Sequence, residues 1–245
     1  MRLNITSSTS SDGVVEQRFS LGEIPGVLWT PEAATGPRPL VLIGHGGGQH
    51  KTSPRVVAGA RDFVTELGFA AVAIDAPGHG DQPRTPELDR AFTDMRTRAA
   101  AGEPMFELVA GLHTMLAERS VPQRRSVLDA VAELDRVGGG PVGYLGMSLG
   151  CGLGVPLVAA EPRIRAAVLG LFGALGLAEP AARITVPVRF VMQWDDERVP
   201  RQKALALFDA FAATEKTLHA NPGGHGDVPE FETRDAVRFL ARHLS

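Results

Sequence analysis

Residues 142–154 read VGYLGMSLGCGLG: an apolar run enters a Gly-x-Ser-x-Gly turn, and a run of small residues leaves it. A short apolar run bounded by glycine reads as a buried strand, and the residues beyond it as the start of a helix. A serine at that junction is forced into a strained backbone conformation, which little bulk nearby can accompany. Gly146 and Gly150 supply the room, because a missing Cβ lets strand and helix approach closely. The Ser148 hydroxyl then stands at the strand's C-terminal end, where the helix N-terminus and the Leu149 amide can hold an anion. A tight strand–helix connection with a capping serine has the same letters. The rest of the chain decides between the two.

Around this stretch, apolar runs alternate with helical patterns. Residues 1–13, polar and rich in Ser and Thr, read as a frayed tail. Residues 14–20 and 24–29 read as an edge hairpin, and 30–39 as a Pro-rich surface loop. Residues 40–43 (LVLI) are a strand buried on both faces, ending in Gly44-His45-Gly46-Gly47-Gly48. A helix follows over 56–67, then a second buried strand over 69–74, which runs into Asp75-Ala76-Pro77-Gly78-His79-Gly80. Residues 82–122 break the rhythm with two charged helices, about 86–101 and 103–119. Further helices are expected over 126–137, 149–160, 200–213 and 229–243, with strands over 141–146, 165–171, 186–192 and 217–219. An Ala/Gly-rich excursion fills 172–183. The alternation predicts an α/β fold, a mainly parallel sheet with helices on both faces. Ligands of such sheets sit beyond the carboxyl ends of the strands.

At 245 residues without a long linker, the chain reads as a single domain with a helical insertion at about 82–122. A net charge of −3 with dispersed basic residues gives no electrostatic footprint for nucleic acid. No apolar run is long enough to span a bilayer, and the polar N-terminus is unlike a secretion signal, so a cytoplasmic location is expected. The single cysteine excludes an internal disulfide and fits a reducing compartment. A homodimer stays open, since periodicity does not reveal exposed apolar patches.

Ser148 requires a base in a loop after another strand. His225 in Asn221-Pro222-Gly223-Gly224-His225-Gly226 meets that condition, and the flanking glycines let the loop fold inward. The base requires an orienting acid, which Asp195 or Asp196 in the segment 193–200 can supply. A carboxylate bonded to an imidazole holds its tautomer and stabilises the imidazolium. The chain order serine, aspartate, histidine, each after its own strand, lifts three weak signals to a strong one.

With these residues in place, the chain resembles the α/β-hydrolase superfamily over about residues 24–245, most of all its dienelactone hydrolase-like branch of serine esterases. Gly146-Met147-Ser148-Leu149-Gly150 resembles the nucleophile elbow, His45-Gly46-Gly47-Gly48 the oxyanion loop, and Gly223-Gly224-His225-Gly226 the histidine loop. The family's aspartate lies four residues before a proline, which in this register selects Asp196, before Pro200. The resemblance implies a Ser148–Asp196–His225 triad and an oxyanion hole from the amides of Gly47 and Leu149. It further implies cleavage of a small-molecule ester, lactone or thioester through an acyl-enzyme, without a cofactor. Dienelactone hydrolase carries a cysteine nucleophile where this chain has Ser148, so its substrate does not carry over. A peptidase, amidase or carbon–carbon bond hydrolase with the same triad, or a non-catalytic binding protein on this scaffold, are the alternatives.

Secondary expectations attach to the flanking loops. His45, His79, Met147 and Phe172 are candidate substrate contacts, with loop bracing the commoner role for the two histidines. Phe106 and Met105 are further candidates for apolar lining. No metal site is expected, since the spacing of His45, His50 and His79 matches no ligand motif.

Overall fold

The computed structural model describes residues 2–245, apart from the side chains of Met105, Glu107 and Ala110. Its centre is one sheet whose strands follow the order β1 (Asn4–Ser11), β2 (Val14–Leu21), β3 (Ile24–Pro31), β5 (Ala70–Ile74), β4 (Leu40–Gly44), β6 (Val142–Met147), β7 (Ile164–Gly170), β8 (Val188–Gln193) and β9 (Lys216–Asn221). The first three strands are antiparallel, and β4 to β9 run parallel. The helices are α1 (Pro54–Leu67), α2 (Pro86–Ala100), α3 (Met105–Ala132), α4 (Leu149–Ala160), α5 (Ala178–Ala181), α6 (Arg201–Ala210) and α7 (Glu230–Leu244).

The central strands are apolar on both faces because both faces are covered. Val41, Ile43, Ala71, Ala73 and Val168 pack with Phe63 of α1 and Leu240 of α7. Leu42, Val72, Tyr144 and Leu169 face the other way, toward Val131 of α3, Val155 of α4 and Leu207 of α6. The period of two along each strand assigns each residue to its layer.

The structure corrects three expectations. Residues 4–11 are not a tail: they form β1, which places the outer edge one strand beyond the expected hairpin. Asp12 and Gly13 turn the chain with positive φ at both positions (52° and 75°), the geometry of a tight Asp-Gly hairpin, and Thr and Ser suit a solvated strand. Second, the helices expected over 103–119 and 126–137 are one helix, α3, which runs through Pro122 and past the expected end of the insertion. Pro122 and Glu118, whose carbonyl loses its donor, are both exposed, so the missing bond falls on the solvent-facing side of the helix. Third, residues 178–181 within the Ala/Gly-rich excursion form the short helix α5.

Candidate active site

The parallel strands all end on one edge of the sheet, and the loops leaving β4, β5, β6, β7, β8 and β9 meet there. Ser148 lies between β6 and α4 with φ 54° and ψ −120°, a conformation that costs a non-glycine residue about 1–3 kcal/mol. Small neighbours hold it there. A Cβ on Gly150 would stand 2.5 Å from the Gly44 carbonyl oxygen, and one on Gly146 the same distance from the Gly150 carbonyl oxygen. The Tyr144 hydroxyl donates to that Gly150 oxygen at 2.6 Å, and the Ser148 amide donates to Gly170 at 2.9 Å. Strand, elbow and helix are thereby locked as one piece.

The histidine loop carries His225 inward until Nε2 lies 3.0 Å from Ser148 Oγ. On the other side of the ring, Nδ1 lies 2.8 Å from Asp196 Oδ2. The other Asp196 oxygen accepts from the amides of Arg198 and Val199 at 2.8 and 2.9 Å. Burial pulls the Asp196 carboxyl upward, but the hydrogen bonds from His225 and these amides outweigh it and hold the group below the usual carboxylate range. Asp196 is therefore ionised near neutrality and orients the Nδ1–H tautomer, leaving Nε2 free to accept from Ser148. Asp195 is exposed and meets Arg201 and the Gly223 amide instead. His225 is 8% exposed, so the chain of bonds is largely shielded from water.

Gly47 and Leu149 border the same cavity as Ser148, and a Cβ on Gly47 would stand 4.0 Å from Leu149 Cβ. Leu149 opens α4, so its N–H has no intrahelical acceptor, and neither amide donates to a backbone oxygen among the described residues. His45, below the Gly47 loop, accepts from the Ala76 amide at Nε2 (2.8 Å) and donates from Nδ1 to the Gly46 carbonyl (2.8 Å). Burial pushes its pKa down to about 4, so the ring is a neutral tie between the loops after β4 and β5. His79 sits on the second of these loops, its ring T-shaped to that of Phe92 with 5.6 Å between centroids. His50 is exposed and bonds Thr52.

Sequence reasoning missed several supports. Asp75, fully buried, accepts from the amides of Lys51 and Asp81 and from the Lys51 ammonium at 2.7 Å. Glu197 accepts from the His225 amide at 2.8 Å. Leu171 follows β7 with φ 54° and contributes to the wall beside Ser148. A buried ion pair between residues distant in sequence leaves no local pattern, and nothing in the letters marks a leucine for positive φ.

Two cavities meet at Ser148 and His225. One, of about 390 Å³, lies beneath α2 and α3 and is walled by Phe92, Met95, Val109, Leu112, Leu116 and Phe172, with His79 and Phe106 also on its surface. Met105 lies outside the residues whose side chains are described. The other, of about 440 Å³, opens between the loop after β4, α1 and α7, and presents Gln49, Arg55, Thr233, His45 and Met147. Cys151 is buried in the core, and burial pushes its thiol up to about 12. Among the described residues, no cluster of His, Cys, Asp or Glu is gathered to hold a metal ion, and no helix is long and apolar enough to cross a membrane.

No family model and no curated protein matches the chain. Among solved structures, it is similar to a PEG-bound complex of a cold-adapted esterase from an Arctic intertidal metagenomic library, at 34% identity, full coverage of both chains and a TM-score of 0.82. The native structure of a cold-adapted esterase from such a library matches at 32% identity, again over both full chains, with a TM-score of 0.77. An acetyl xylan esterase from Paenibacillus sp. R4 shares the fold at 16% identity, with a TM-score of 0.68 over 99% of this chain and 88% of that one.

Proposed function

The chain belongs to the α/β-hydrolase superfamily, among its esterases, and from that premise we propose that it is a serine carboxylesterase of the dienelactone hydrolase-like branch. Ser148 is the nucleophile, His225 the general base and acid, and Asp196 the group that orients and stabilises the imidazolium. The observation that carries this reading is the unbroken chain of hydrogen bonds Ser148–His225–Asp196 at a strained elbow.

In the proposed reaction His225 takes the Ser148 proton as Oγ attacks the ester carbonyl. The amides of Gly47 and Leu149 hold the oxyanion; loss of one such donor typically costs about 3 kcal/mol. The carbon–oxygen bond to the alcohol then breaks, and His225 protonates the departing oxygen. Water enters, gives its proton to His225, attacks the acyl carbon and releases the acid, while Ser148 recovers its proton. Ester and water become acid and alcohol, with no cofactor in the balance.

A fluorophosphonate probe with adduct mapping tests the assignment, since it needs an activated serine and little substrate specificity. The expected result is an adduct on Ser148 and loss of both labelling and ester turnover in Ser148→Ala. Wild-type turnover in that variant would overturn the reading.

A further inference from the structure

The two cavities that meet at Ser148 differ in chemistry, and the difference assigns the two limbs of the ester. We propose that the cavity beneath α2 and α3 takes the acyl group, and that the cleft between α1 and α7 takes the leaving alcohol. The substrate class follows: esters of an apolar, ring-sized or medium-length acid with a small or polar alcohol. The proposal rests on the serine-esterase reading and deepens it.

The argument comes from the second half of the reaction. By microscopic reversibility, the water that attacks the acyl-enzyme occupies the place the alcohol has left, beside Nε2 of His225. That side of the serine must therefore hold water. An ordered water needs two to four polar partners, and apolar cavities stay dry. The α1/α7 cleft offers such partners in Gln49, Arg55 and Thr233 and in the backbone of the glycine loops. The cavity beneath α2 and α3 offers Phe92, Met95, Val109, Leu112, Leu116 and Phe172. Its polar members do not change this. Burial keeps His113 and His79 below the usual histidine range, so both rings are uncharged near neutrality. Arg84 lies half-exposed over Phe92, and Arg198, which also borders the cleft, is largely exposed.

Size and shape narrow the acyl group. An apolar cavity of about 150 Å³ accommodates one benzene ring; this one is about 390 Å³. It has room for a ring with a short linker, or for a chain of comparable bulk. Phe92, Phe106 and Phe172 offer faces and edges to such a ring. An acetyl group would leave most of that surface unfilled.

Two isomers with the same bulk on opposite sides of the ester provide the test: methyl 3-phenylpropanoate and 2-phenylethyl acetate. The expected kcat/KM of the wild-type protein favours the phenylpropanoate by about tenfold or more, the value of burying one such apolar limb. Leu112→Trp, which fills the cavity, is expected to collapse that ratio; the ratio, not the absolute rate, is the readout. Equal rates on the two isomers, or a preference for the acetate, would overturn the assignment, and these need no variant to observe. Failure to hydrolyse either ester together with no labelling of Ser148 would overturn the esterase reading itself and the assignment with it.

Discussion

At the scale of single residues, the proposed reaction turns on the orientation of one imidazole. Asp196 is anchored by two backbone amides before it meets His225, so its carboxylate is aimed rather than merely near. Asp196→Asn keeps the size but donates toward Nδ1, which selects the wrong tautomer and leaves Nε2 protonated. A fall in kcat of about 10⁴-fold is expected, by the precedent of other triads, with little change in thermal unfolding. Steady-state kinetics on a small ester beside a melting curve checks both halves. Asp195→Asn is the control: that residue is exposed and does not meet His225, so its effect should stay within about twofold. The letters offered Asp195 and Asp196 as equals. Only the family register, and then the fold, separated them.

At the scale of elements, α3 is where local rules and the fold disagree. Proline inside a helix costs about 3 kcal/mol against alanine, enough to suggest a break. The helix persists because its buried residues, among them Leu116, Val127, Leu128 and Val131, continue in phase across Pro122. Packing of that stripe outweighs one lost bond on the wet side. Pro122→Ala should therefore stabilise the protein by about 1–2 kcal/mol, part of the gain being offset by the freer unfolded chain. A rise in the urea midpoint with an unchanged slope is the expected observation. No pattern in the sequence distinguishes a proline that ends a helix from one that a tertiary contact overrides.

At the scale of the whole molecule, the sheet has a dispensable end and an acid-sensitive centre. β1 is exposed along its full length, and Leu3 before it is half-buried against the core, so deleting residues 2–11 should cost about 2 kcal/mol and leave ester turnover unchanged. Calorimetry and an ester assay on the shortened chain test this. The centre behaves differently. Burial lowers His45 to about 4, and lowers His79 and His113 in the same direction. The unfolded chain takes up protons at these residues from about pH 6.5 downward, whereas the folded chain resists. Stability is therefore full above that range and falls as the pH drops from about 6.5 toward 4. His45 alone accounts for up to about 3 kcal/mol of the loss. A melting temperature that declines over this interval, with a shallower decline in His45→Gln, is the expected result.

The sequence by itself determined the alternation of strand and helix, the elbow around Ser148 and the loops that carry the candidate acid and histidine, because each of these segments is written in adjacent residues. Apolar runs, glycines at tight approaches and proline-bounded loops act within a few residues of themselves, and their physics is local. It missed β1, where polar Ser and Thr carried no apolar alternation and the Asp-Gly turn was the one usable signal. The tertiary structure alone decided what distant segments do together: the Asp75–Lys51 pair inside the loops, the continuity of α3 and the meeting of two unlike cavities at one serine. Those features depend on which side chains face each other across the sheet edge, and desolvation and packing act there between residues far apart in the chain.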